Sequence, residues 1–287
     1  MLSKFRTSLF ILLSICITVQ AQGGKKIRLF IIGNSFSQNA ASFLPQLAKE
    51  GGMELELGRA ELGGCSLERH WKLAESGEKA YKGKSLREML SNGRWDIVTI
   101  QQYSLLSGDP DTYEPYARKL VELIRSLQPG AKIFIHQVWA YRNDAEAFGK
   151  INGNERAKNA EEMHRHVRAA YHKAAAELGL TVIPTGDAFR AMDSSLKWHY
   201  SKDTAYNFNT PQAGQLPNQA NSLHVGYIWR DGKLAFDANH ANTAGCYLGS
   251  LVWYRTLLGG KVKKVKFKPG TVSAPMAKEF KQVVAAL

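Results

Sequence analysis

Ile27-Arg28-Leu29-Phe30-Ile31-Ile32-Gly33-Asn34-Ser35-Phe36-Ser37 decides the fold. The apolar run over 27–32 reads as a strand, and Gly33-Asn34-Ser35 ends it where a helix begins. Four more short apolar runs follow, at 53–57, 97–101, 132–137 and 180–184. Helical patterns separate them. Tyr116, Leu120, Leu123 and Leu127 form a stripe that stops at Pro129-Gly130. Ala160, Met163, Val167, Ala170, Tyr171, Ala174 and Leu178 repeat at helical spacing up to Gly179, and a last helix is expected over 243–258, before Gly259-Gly260. Strands that alternate with helices and are apolar on both faces predict a mostly parallel, five-stranded sheet in an α/β three-layer α/β/α sandwich. Ligands of such sheets sit beyond the carboxyl ends of the strands. Ser35, Gly63-Gly64, Gln101-Gln102 and His136 each follow a strand, so all gather on that edge.

Asp237-Ala238-Asn239-His240 supplies what Ser35 lacks as a nucleophile. A hydroxyl needs a general base, and the base needs a third group to hold its tautomer and stabilise its cation. With His240 three positions after Asp237, one local turn brings carboxylate and imidazole together. The order Ser…Asp…His also occurs in α/β-hydrolases, but their Gly-x-Ser-x-Gly elbow is missing here. A serine at a strand-to-helix junction is also an ordinary N-cap, and Ser37 is its local competitor. An aspartate and a histidine on a solvated loop need no chemistry at all.

In their joint order, Gly33-Asn34-Ser35-Phe36-Ser37, Gly63-Gly64 and Asp237-x-x-His240 resemble the SGNH/GDSL hydrolases. Gly63-Gly64-Cys65-Ser66-Leu67-Glu68-Arg69-His70-Trp71, His136-Gln137-Val138-Trp139-Ala140-Tyr141 and segment 237–245 resemble, within them, the bacterial domain-of-unknown-function 4886 branch. The likeness spans roughly residues 28 to 258. It implies a flavodoxin-like strand order and an exported serine esterase with Ser35 as nucleophile, His240 as base and Asp237 as its orienter. The implied oxyanion hole uses the N–H groups of Ser35 and Gly64, with Gly63 as the other choice, and a side-chain amide. The wider family takes that amide from an asparagine in Gly-x-Asn-Asp, whereas this chain has Ile100-Gln101-Gln102-Tyr103-Ser104. The matching position is Gln101, and because Gln102 points to the opposite side of the strand only one of the two, Gln101 or Gln102, is expected to serve.

Asn34 stands where the common form has aspartate, and with His70, Gln102, His136 and Trp139 it is expected on the substrate side; Trp71 and Tyr141 are candidates beside them. No metal or organic cofactor is expected, and no spacing supports a zinc site from His70, His136, His199 and His240. His164, His166 and His172 read as surface residues. The substrate implied is a carbohydrate O-acetyl ester. Lipid or aryl esters compete with it, as does a glycan-binding protein without chemistry.

Residues 1–21 read as a signal peptide: Lys4 and Arg6, an apolar run from Leu9 to Val19, and Val19-Gln20-Ala21 as cleavage site. The protein is therefore expected in the periplasm or outside the cell, without stable membrane insertion after cleavage. Residues 22–287 make one domain. Processing takes the net charge from +13 to +11. That excess suits an acidic partner such as a uronate-bearing polysaccharide or a membrane surface, or merely solvated lysines. Lys261-Val-Lys-Lys-Val-Lys-Phe-Lys268 opens a basic C-terminal extension over 261–287 and alternates like a charged edge strand. Nucleic acid is not an expected partner, because interleaved aromatics are missing. Cys65 and Cys246 could form a bridge in an oxidising compartment or stay as buried thiols. Residues 193–236, rich in Asn, Gln, Ser, Tyr and Trp, read as a substrate-facing loop with short elements of its own. There Trp198, Tyr200, Tyr206 and Trp229 offer flat surfaces to sugar rings or cover the end of the sheet.

Overall fold

The computed structural model describes residues 25–287, and the expected signal peptide lies outside the described residues. The chain runs through β1 (Lys25–Gly33), α1 (Ser35–Ala40), α2 (Leu44–Glu50), β2 (Met53–Glu61), α3 (Leu67–Ser76), α4 (Leu86–Ser91) and β3 (Ile97–Ile100). It continues through α5 (Tyr116–Leu127), β4 (Lys132–His136), a small hairpin of β5 (Lys150–Asn152) and β6 (Glu155–Arg156), α6 (Ala160–Leu178) and β7 (Thr181–Ile183). After α7 (Thr185–Asp193) come the hairpin β8 (His224–Arg230) and β9 (Lys233–Ala241), then α8 (Thr243–Leu258) and α9 (Ala274–Ala286).

The five apolar runs are the five strands of one parallel sheet, ordered β2-β1-β3-β4-β7. Helices α1, α2, α7, α8 and α9 pack together on one face, and α3 to α6 on the other. Covered on both faces, β1 buries Leu29, Phe30, Ile31 and Ile32 completely. The order reverses between β1 and β3, which opens a crevice at their carboxyl ends. α8 is apolar nearly all round because it lies under α1, α2, α7 and α9. Truncating its buried Leu248 or Leu251 to alanine should cost about 2–5 kcal/mol.

Two expectations need correction. Strand β2 is not apolar on both faces: it is an edge strand, half-buried, and Glu54 and Glu56 alternate outward to pair with Lys26 and Arg28. Residues 261–268 form no strand. A 3₁₀ turn at Val262–Lys264 carries Val262 and Val265 into the core, because valines three apart match the three-residue period of that helix. The segment 193–236 has short elements of its own. Its last part is β8 and the start of β9, joined at Asp231-Gly232, where both residues have positive φ (49° and 74°), as a type I′ hairpin turn requires.

Candidate functional site

Asp237 and His240 lie in the bulged end of β9, where the ladder steps from Gly226↔Asp237 to His224↔Ala241. The extra residues on β9 make the local turn that the pair needs. Asp237 Oδ1 accepts the main-chain N–H groups of Asn239 (3.2 Å) and His240 (3.0 Å), and Oδ2 accepts His240 Nδ1–H at 2.9 Å. The other ring nitrogen, Nε2, lies 2.9 Å from Ser35 Oγ. Those partners assign the tautomer: Nδ1 carries the proton, and Nε2 is free to accept one. Burial pushes the Asp237 carboxyl up, but the hydrogen bonds and charge of His240 outweigh it and hold it at about 2. The hydrogen bond to Asp237 raises the His240 imidazole above 6.5.

Ser35 is the first residue of α1 and half-buried. Asn34, the N-cap, accepts Phe36 N–H at 3.0 Å. The N–H groups of Ser35 and Gly64 have no main-chain acceptor among the described residues. Gly64 is exposed with φ +59°, a left-handed conformation that glycine adopts without strain. A Cβ there would meet the ring of Tyr103 at 3.6 Å. Tyr103, half-buried beside that glycine, escaped the sequence reading; its signal was its place just after Gln101-Gln102.

The expected pocket-lining residues face inward. Asn34, His70, Gln101, Gln102, His136 and Trp139 are each at most 1% exposed. Asn34, Gln101 and His136 form a directed row with Thr185 and the carbonyl of Cys65. Thr185 Oγ1 donates to His136 Nε2 (3.0 Å), His136 Nδ1 to Gln101 Oε1 (3.2 Å), Gln101 Nε2 to Asn34 Oδ1 (2.6 Å), and Asn34 Nδ2 to Cys65 O (3.0 Å). These residues follow β7, β4, β3, β1 and β2, the spatial order of the sheet. The row ties all five strand ends together beneath Ser35. Burial drives the His136 imidazole down to about 3, so it stays neutral within it.

Gln101 is therefore not placed as an oxyanion donor: its amide hydrogens go to Asn34 Oδ1 and to Gln102 O. Gln102 pins the start of α3 by accepting Leu67 N–H and donates to Thr112 O. His70 bridges Tyr81 OH (2.7 Å) and Gly33 O (3.0 Å), and burial lowers it to about 4. Trp139 stacks between Phe36 and Phe189 and donates to Asn239 O at 2.9 Å. Trp71 lies on the α3 side under Lys119, and Tyr141 OH meets Ser104 Oγ. Ser37 is buried, its hydroxyl between Asn34 O and Glu61. Tyr200 is buried as well, and Tyr206, Trp198 and Trp229 are half-buried. His164 is not on the surface: it sits between α6 and α7, 3.6 Å from Asp187. Both cysteines are free thiols, and burial pushes the Cys65 thiol up to about 12.

A second group missed from sequence holds the Asp237 segment in place. Arg142 donates its main-chain N–H to Ala238 O at 2.8 Å. Its buried guanidinium forks onto Asp144 (2.6 and 2.9 Å), reaches Gln219 Oε1 (2.7 Å), and lies 4.2 Å from the Tyr200 ring and 4.8 Å from the Phe236 ring. Gly226, at φ +69°, leaves no space for a Cβ against Arg142 and Gln219. Together with Trp139 and with Asn39, whose Oδ1 accepts Ala241 N–H, Arg142 fixes residues 238–241 at three points.

The protein family described as domain of unknown function DUF4886 matches residues 28–211. Among solved structures, a DUF4886 family protein from Bacteroides uniformis has a TM-score of 0.72 at 25% identity, covering 91% of this chain and 94% of that one. A candidate GDSL-like lipase from Parabacteroides merdae shares 13% identity at a TM-score of 0.48, over 81% of this chain and 95% of that one. A possible lipase from Chitinophaga pinensis shares 12% at 0.46, over 81% and 99%. No curated protein matches the chain. With nearly two thirds of its length matched by the family and a solved member sharing its fold from end to end, the chain belongs to the DUF4886 family.

Proposed function

We propose that this protein is an exported SGNH-type serine esterase that removes an acyl group, an O-acetyl on a carbohydrate, through an acyl-enzyme on Ser35. The observation that carries the reading is the unbroken relay from Ser35 Oγ through His240 to Asp237, 2.9 Å at each step. Ser35 Oγ attacks the ester carbonyl while His240 Nε2 takes its proton, and Asp237 stabilises the imidazolium. The N–H groups of Ser35 and Gly64 receive the developing oxyanion. His240 then returns the proton to the leaving alcohol, and water repeats the sequence on the acyl-enzyme. The carbohydrate assignment is supported by the exposed setting of Gly63-Gly64 and by the half-buried aromatics Trp198, Tyr206 and Trp229 in the segment leading to the hairpin. Export is supported by the basic and apolar segments of residues 1–21.

The test is acetate release from p-nitrophenyl acetate and from acetylated glycans, alongside labelling by a fluorophosphonate. Wild type should label and hydrolyse, and Ser35→Ala should do neither. Hydrolysis that survives in Ser35→Ala removes Ser35 as nucleophile. A folded wild type that neither labels nor hydrolyses, yet binds glycan, is a binding protein.

A further inference from the structure

The lysines of 261–268 sit on a backbone that the fold holds rigid. Glu50, at the end of α2, accepts the N–H groups of both Lys266 and Phe267. Tyr247 OH donates to Phe267 O at 2.6 Å, and Lys281 Nζ to Val265 O at 3.0 Å. Lys268 is committed to Val272 O. Lys261, Lys263, Lys264 and Lys266 are different. All four are exposed, and among the described residues none has a carboxylate within 4.0 Å or a side-chain hydrogen bond. Four cations held within six residues repel one another, so an anionic surface relieves that repulsion as well as attracting them.

Two hollows lie beside these lysines; the first is mixed, with Glu50 in its wall, and the second is largely apolar. The first, of about 500 Å³, has Met53, Tyr254, Leu258 and Val265 in its walls. The second, of about 400 Å³, lies between Arg255, Val262 and Ala285. A cationic rim around an apolar hollow matches a lipid surface, where lysine stems lie on hydrocarbon and their ammonium groups meet phosphate. The second hollow matches a hydroxyl-rich polysaccharide poorly, because apart from its cations its walls offer little to hydrogen-bond it.

The face also lies far from the Ser35 site. Met53 pairs with Lys25 at the amino end of the sheet. Eight residue steps along β1, ~26 Å, separate that end from Gly33 and the Ser35 site. We propose that the face bearing Lys261, Lys263, Lys264 and Lys266 adsorbs to an anionic phospholipid bilayer and turns the Ser35 edge away from it.

The experiment is co-sedimentation of the protein, as processed by the expressing cell, with phosphatidylcholine vesicles with and without phosphatidylglycerol. Partition should rise with phosphatidylglycerol and collapse as salt goes from about 0.1 to 1 M, where the screening length falls from ~10 to ~3 Å. Each lysine near such a surface is worth roughly fivefold, so K261Q/K263Q/K264Q/K266Q should lose on the order of 600-fold. Its thermal midpoint should not fall, because among the described residues the four side chains make no ion pair or hydrogen bond and their mutual repulsion is removed. Should that variant fail to fold, Lys263→Glu alone should still cut partition several-fold. Equal partition onto both vesicle types, or phosphatidylglycerol binding untouched by the substitutions, overturns the proposal. So does binding to polygalacturonate without binding to vesicles, which would make the partner an acidic polysaccharide. Esterase activity enters none of these readouts, so the proposal and the esterase reading stand or fall separately.

Discussion

Replacing Asp237 by asparagine tests the relay at its least ambiguous point. The carboxylate accepts three N–H groups, two from the main chain on Oδ1 and one from His240 Nδ1 on Oδ2. An asparagine can keep its single oxygen toward the two main-chain groups, so the turn survives. Its amide nitrogen then faces His240 Nδ1, which must accept a hydrogen instead of donating one. The imidazole switches tautomer and presents Nε2–H to Ser35 Oγ, where a base is needed. Loss of base and of the counter-charge together should lower kcat by about 10³–10⁴, equivalent to roughly 4–5.5 kcal/mol of barrier, with KM little changed. Wild-type kcat/KM should rise with pH through a limb above 6.5, because Asp237 raises His240. In Asp237→Asn the residual limb should move down. The assay is p-nitrophenyl acetate hydrolysis across pH, with Ser35→Ala as the background. A variant within fivefold of wild type, or an unmoved limb, would show that Asp237 does not act through His240.

Other outcomes follow from the scaffold. Arg142→Ala leaves the buried Asp144 without its partner and should cost about 3–5 kcal/mol in denaturant unfolding, and Arg142→Lys should recover little, since an ammonium cannot fork; a loss below about 1 kcal/mol would refute the hub. Gln101→Leu strips hydrogen-bond partners from Asn34 and His136 at once and should destabilise by about 2–4 kcal/mol, measurable by the same unfolding assay. The Asp237–His240 pair also makes stability depend on pH. His240, raised when folded, stabilises fully below 6.5 and loses this as pH climbs through its higher folded value; Asp237, lowered to about 2, contributes above 3.8 and loses it as pH falls through 2. The thermal-midpoint gap between wild type and His240→Gln should therefore shrink from about pH 6 to pH 9.

The strands and helices were legible because apolar period and stop signals are local, and Asp231-Gly232 between apolar runs was a hairpin signal left unread. The nearness of Ser35 and His240, 205 residues apart, was legible only as a resemblance, since spacing along the chain carries no distance across the fold. Sequence by itself determined the five parallel strands, the long helices α5, α6 and α8 and the chemical types gathered at the strands' carboxyl ends. Only the tertiary structure decided which way those side chains point. A polar residue at a strand end serves equally as a surface contact or as a strut, and burial makes the choice: Asn34, Gln101 and His136 satisfy one another under the site, while Ser35, Gly64 and His240 stay open to solvent.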